Sequence, residues 1–231
     1  MKEILQDSAY FATLLTIGAF AAGQAVRRKT GRDIANPLLI AVLLVIAALR
    51  LLDIDCAVYQ SGAGLVSWLL TPATVCLALP LYRQIAVLRK NAAAVAVGIA
   101  VGVLSSAVLI ALLSLLFHLD ARQTATLLPK SVTTAIGIGI SEELGGIPPL
   151  TVAVIILTGL CGNLMARPIC RLFKITDPVA RGLAIGAASH AMGTVKALEM
   201  GELEGAMSSV AVAVCGLLTV VTAPLCMGLL A

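Results

Sequence analysis

Leu127–Gly146 reads LLPKSVTTAIGIGISEELGG, and Ala187–Ala206 reads AASHAMGTVKALEMGELEGA. The second stretch is a degenerate copy of the first, displaced by 60 residues. Each sets a basic or titratable side chain in apolar surroundings, Lys130 in one and His190 in the other. Each then places a threonine one helical turn on, Thr134 and Thr194. Each ends in an acidic, glycine-bearing turn, with Glu142 and Gly145 matching Glu202 and Gly205. A lysine near the centre of a bilayer costs about 2.5–3.5 kcal/mol on the insertion scale, so Lys130 is expected to face protein, water or a ligand.

The bilayer is implied by composition. Of the 231 residues, 60% are hydrophobic and only 12% charged, where a soluble domain carries about 25% charge. Several apolar runs approach the roughly 20 residues that cross a hydrocarbon core. The chain reads as an all-α polytopic membrane protein with no soluble domain left over. Its net charge of +4 is concentrated at Arg27–Arg32, Arg83–Lys90 and Arg167–Lys174, the pattern of cytoplasmic loops. With 3% aromatic residues, nucleic-acid binding is a poor explanation for these clusters. The six cysteines form no CxxC pair, so no metal or cofactor is expected. No GxSxG, HExxH or Walker-type glycine loop is present, and Ser189 and His190 are adjacent, so no catalytic residue and no enzyme is expected. The first apolar run does not read as a secretory signal, because its charges follow it.

Four spans are expected first: about Ser8–Val26, Pro37–Leu52, Gly62–Leu81 and Ala92–Phe117. Trp68 and Tyr82 are candidate interface anchors. Gly98 and Gly102 form a GxxxG spacing, either chance or a seat for a close helix. With basic loops inside, the N-terminus is outside, Arg27 inside, Asp53 outside, Arg83 inside and His118 outside. Ala121–Ser141 must then start and end outside, because the next span, Ile147–Ala166, delivers Arg167–Lys174 to the inside. A segment that dips in and returns solves this, provided protein or a water-filled cavity covers its irregular backbone. Pro129 supplies one break, and Gly137 with Gly139 would ease a second. Val179–Met200 likewise starts and returns inside, and the last span, about Ala206–Leu230, ends outside.

The expectation is therefore about six full transmembrane helices and two re-entrant or broken segments. The chain forms one membrane domain over 1–231. It has a four-helix scaffold at 1–118 and an inverted repeat of 121–166 with 179–230, whose discontinuous segments meet near the midplane. The alternative is eight full crossings.

On helices, Thr126, Lys130 and Thr134 would form one stripe, and Gly182, Gly186, His190 and Thr194 another. Lys130 offers a positive charge, and Ser131, Thr133, Thr134, Ser189 and Thr194 offer hydroxyls. Together with freed helix N-termini these suit a small carboxylate. His190 could couple a proton, or could be a buried histidine satisfied by a carbonyl or hydroxyl. Lys130 could instead snorkel to the interface. Glu142, Glu143, Glu199, Glu202 and Glu204 read as solvated loop acids. Asn163 reads as a bond across to another helix.

PKSVTT (Pro129–Thr134), GGIPPLT (Gly145–Thr151), ASHAMGTVKALEMGE (Ala188–Glu202) and EGAMSSVA (Glu204–Ala211) resemble the signature of the LrgB/CidB family of bacterial inner-membrane proteins. Ala135 and Ala191 depart from it, where proline and glycine are expected. The resemblance implies a small LrgA/CidA-like membrane partner. It also implies two competing functions: antiholin-like regulation of murein hydrolases and lysis, or transport. The plant plastid glycolate/glycerate translocator looks like an LrgA-type half fused to an LrgB-type half, which points to small organic acids. The expected function is a bacterial inner-membrane transporter, or transporter subunit, for small monocarboxylates such as glycolate, glycerate, lactate or pyruvate. A homo-oligomer in the lipid bilayer is expected.

Overall fold

A computed structural model describes residues 10–30, 36–69, 72, 75–76 and 78–230. Ser8, Arg32 and several residues within the expected Gly62–Leu81 span lie outside them. Two compact units are present, Met1–Cys76 and Leu77–Ala231. Residues 78–116 thus fall in the same unit as 121–230.

The first unit is built on α1 (Phe11–Thr30) and α2 (Pro37–Leu52), followed by α3 (Cys56–Gly62) and α4 (Gly64–Trp68). α2 has the bounds its sequence predicts. The Asn36 side chain accepts from the N–H groups of Leu38 and Leu39 at 2.8 and 3.3 Å, and Pro37 occupies the first turn. Arg27, Arg28 and Lys29 are not in a loop as expected. They form the last turn of α1, where cations meet the negative end of the helix dipole. Gly23 is pressed against the Pro37 backbone, so α1 and α2 lie in close contact.

The second unit runs α5 (Ala78–Arg83), α6 (Ile85–Lys90), α7 (Ala92–Leu116), α8 (Ala121–Leu127), α9 (Thr134–Glu143), α10 (Pro148–Leu172), α11 (Pro178–Met200) and α12 (Glu202–Leu230). The expected basic loop at Arg83–Lys90 is thus helical. Among the described residues, α7, α10 and α12 are long and apolar enough to cross a membrane, and α2 is a shorter apolar helix. α10 and α12 carry Pro168 and Pro224 inside them. The core around Ile99, Val103, Leu183, Met207 and Ala211 joins α7, α11 and α12. Gly98 and Gly102 face Leu183 and Ala187, so the GxxxG spacing does seat a helix.

Both special segments are broken and fold back. α11 is two helices joined at Ser189 (φ −136°, ψ 19°) and His190 (φ 44°, ψ −147°). Arg181 in its first half pairs with Glu204 at 3.7 Å, while Leu198 in its second half packs on Gly205. A straight helix would hold residues 181 and 198 about 25 Å apart at 1.5 Å per residue. Here both reach the first turn of α12. Ile185 and Ala197, one from each half, share an apolar cluster with Ala166.

The first segment returns in the same way. α8 begins with an Asp120–Gln123 capping box and stops before Pro129. Thr126 is then met by the far end of the segment. Ile147 N donates to Thr126 Oγ1 at 2.9 Å, and Thr151 Oγ1 lies 3.1 Å from Thr126 O and 2.7 Å from Ser141 Oγ. The break falls at residues 128–133. Gly137 and Gly139 do not supply another, since α9 runs through both. Gly137 instead makes room for Ile155 Cδ1.

Candidate functional site

Two ends of the second unit can be told apart. One carries Arg83, Asn91, Arg167, Asp177 and Arg181 and is called the basic end. The other carries His118 and Leu230. The α8–α9 hairpin comes from the His118 end, and the α11 hairpin from the basic end.

A groove of about 810 Å³ lies between α7 and the first half of α11. Asn91 and Asp177 stand at its basic-end mouth, and Lys130, Ser131 and Ser106 lie deep in it. Lys130 Nζ donates to Ser131 Oγ at 2.9 Å, and Ser131 Oγ lies 3.4 Å from Ser106 Oγ. Pro129 is buried and has no N–H to give. The chain therefore leaves the helix at the hairpin tip and presents Lys130 to the groove.

The other candidate residues do not line it. Thr133 and Thr134 are half-buried at the start of α9. Ser189 is buried and donates to Ile185 O at 2.9 Å. Thr194 is fully buried, donating to His190 O at 3.1 Å and lying 2.8 Å from Ser208 Oγ. His190, 3% exposed, places Nε2 3.0 Å from Ile155 O. The stripe Thr126–Lys130–Thr134 is interrupted by the break. The stripe Gly182–Gly186–His190–Thr194 is interrupted too. Gly182, Gly186 and Thr194 face α12, but the positive φ at His190 turns its ring onto α10.

α10 is shaped to receive that ring. A Cβ at Gly159 would lie 2.8 Å from His190 Cε1, and one at Gly162 would collide with Ser189. Asn163 Nδ2 donates to Met192 O at 2.9 Å, the cross-helix bond its sequence position suggests. The first hairpin tip has a related neighbourhood on α12: Leu128 and Ser131 share a small cavity with Thr219, Thr222 and Ala223.

The acids also differ from expectation. Glu204 is 6% exposed and paired with Arg181. Glu199 pairs with buried Lys196 at 3.1 Å, and Glu202 with Arg83 at 3.8 Å. Glu142 and Glu143 are exposed.

Residues 16–229 match the model of the LrgB-like family. The chain belongs to this family. Antiholin-like protein LrgB of Bacillus subtilis (strain 168) is 34% identical over 218 residues, 94% of each chain. The proteins of the same name from Bacillus mycoides (strain KBAB4) and Bacillus cereus (strain B4264) are each 34% identical over 219 residues, 94% of this chain and 95% of theirs. No solved structure matches. In this LrgB-like chain, sequence reasoning overlooked Ser106, Ser141, Thr151 and Lys196. Ser106 carried a usable signal: it continues the Gly98–Gly102 stripe by one further turn.

Proposed function

We propose that this LrgB-family protein is a non-enzymatic subunit of a transporter for small monocarboxylates such as glycolate, glycerate, lactate or pyruvate. Lys130 would hold the carboxylate, and Ser131 and Ser106 the hydroxyl or keto oxygen. The observation that carries this reading is the lysine itself. Its ammonium sits with hydroxyl partners deep in an open groove between apolar helices, where a fixed charge has a use only if something meets it.

An inverted repeat of 121–166 and 179–230 belongs to the same proposal. The residues of α10 that seat the second tip are Gly159, Gly162 and Asn163. Their counterparts 60 positions on are Thr219, Thr222 and Ala223, which surround the first tip. Each tip thus lies against the helix that follows the other, as in transporters built from opposed discontinuous segments. Thr133 and Thr134 would support the Lys130 tip from the start of α9. Ser189 and Thr194 would shape the second hairpin. A proton-coupling part for His190 would act through its seat on Ile155. The protein would lie in a bacterial inner membrane with a periplasmic N-terminus and a small LrgA/CidA-like partner.

A second reading, an antiholin-like regulator of murein hydrolases and lysis, is favoured by the names of the relatives, which weigh toward it over transport. Flux into proteoliposomes containing the chain, with and without the small partner, separates the two. Saturable carboxylate uptake lost in Lys130→Ala supports transport. Absence of any flux, with lysis timing that follows expression, supports the regulator.

A further inference from the structure

Three cavities lie in line along α7. The groove, at the basic end, reaches Ser105 and Ser106. Next comes a void of about 10 Å³, bordered by Ser106, Ser131, Thr219 and Thr222, close to the size that holds one water. Beyond it Ile110, Leu128, Ile140 and Ala223 close into an apolar cluster, with Ile136, Leu127 and Met227 packed on it. On the far side of that cluster, toward the His118 end, is a third cavity of about 110 Å³ lined by Ser114, Thr124 and Met227. Ser114 is 5% exposed, and its hydroxyl is buried without a hydrogen-bond partner.

Ser106, Ile110 and Ser114 are spaced at four residues, so they form one stripe of α7. That stripe reads hydroxyl, hydrocarbon, hydroxyl, and each hydroxyl borders a cavity. A buried hydroxyl without a partner costs about as much as a lost hydrogen bond, so an unmatched one needs a reason. Wetting from its own cavity supplies it.

We propose that this stripe marks a through-route for water and small polar solutes, shut in this conformation by the plug of Ile110, Leu128, Ile140 and Ala223. Lys130 is then reached from the basic end only. Leu128 belongs to the same hairpin tip as Lys130, so movement of that tip both opens the plug and displaces the lysine. The proposal uses the groove assigned above, but sidedness does not depend on what the groove carries.

The test is cysteine labelling in the full chain with its six native cysteines replaced. Ala188→Cys probes the groove, Ser114→Cys the far cavity, and Lys174→Cys and His118→Cys report the two ends. A membrane-impermeant thiosulfonate is applied to vesicles of each orientation. The expected result is that Ala188→Cys labels from the Lys174→Cys side alone, and Ser114→Cys never labels from that side. Adding Leu128→Ser or the milder Ala223→Ser makes Ala188→Cys reactive from both sides, at least tenfold faster than before from the His118→Cys side. Labelling of Ala188→Cys from both sides without a plug substitution, or from neither, overturns the proposal. So does unchanged one-sided labelling in both plug variants when they remain monodisperse in detergent. Failure of carboxylate uptake alongside the expected labelling would count against the transport reading and leave the route intact.

Discussion

His190 Nε2 lies 3.0 Å from the carbonyl oxygen of Ile155, so the imidazole is bound to the backbone of the neighbouring helix. A carbonyl only accepts, so Nε2 carries the proton in this arrangement. Gly159 admits the ring and Gly162 admits Ser189, which makes α10 the seat of the second hairpin. Gly159→Ala and Gly162→Ala are expected to lower stability by about 1–3 kcal/mol each, the usual cost of overpacking a close contact. Thermal unfolding in detergent checks this, with Gly139→Ala, which faces open space, as the control.

The backbone at His190 has φ 44° and ψ −147°, a conformation that costs a side-chain-bearing residue about 1–3 kcal/mol. His190→Gly relieves that cost while removing the Ile155 bond. The variant is expected to fold with a melting temperature close to that of the unchanged chain. If the ring couples protons, carboxylate uptake in this variant no longer responds to an imposed pH gradient, whereas Gly139→Ala, which faces open space, retains the response.

Lys130 supplies the charge in the groove. Lys130→Ala is expected to abolish saturable uptake, and Lys130→Arg to keep a fraction of it with a raised KM. Ser106→Ala removes one hydroxyl and keeps the charge. It is expected to lower the preference for 2-hydroxy acids over unsubstituted carboxylates by about tenfold, the scale of a single hydrogen bond of about 1–1.5 kcal/mol. Competition between glycolate and acetate measures it.

Thr151 holds the base of the first hairpin through Thr126 and Ser141. Thr151→Val keeps the shape and deletes the hydroxyl. A loss of about 1–3 kcal/mol is expected from the buried groups left unmatched. Ser209→Ala, whose hydroxyl bonds within its own helix, is expected to cost less in the same unfolding assay.

Pro37 was readable as a helix start because capping and proline chemistry are local. The break at Pro129 was readable for the same reason. The break at Ser189–His190 has neither proline nor glycine at the point itself; charge parity and the 60-residue echo indicated only that Val179–Met200 dips in and returns. Glycine gave mixed signals, because a missing Cβ serves bending and close approach alike. Gly137 and Gly159 serve approach. The direction of His190 was not readable, since a positive φ rotates the side chain off its helical stripe and nothing local in AASHAMG announces it. Ser106 and Thr219 became neighbours of Ser131 only through the crossing of hairpins with long helices. Glu204 read as a loop acid because its partner, Arg181, is contributed by the other end of a folded-back segment.

A single residue, Gly201, separates α11 from α12. Both halves of α11 take their contacts from the opening turns of α12, through Glu204, Gly205 and Ser208. During synthesis the second hairpin therefore meets its α10 seat first and completes its packing only once those turns have followed. A nascent chain halted before Ser208 would hold a pair of half-helices seated on α10 alone, with the Gly186 and Thr194 faces still uncovered.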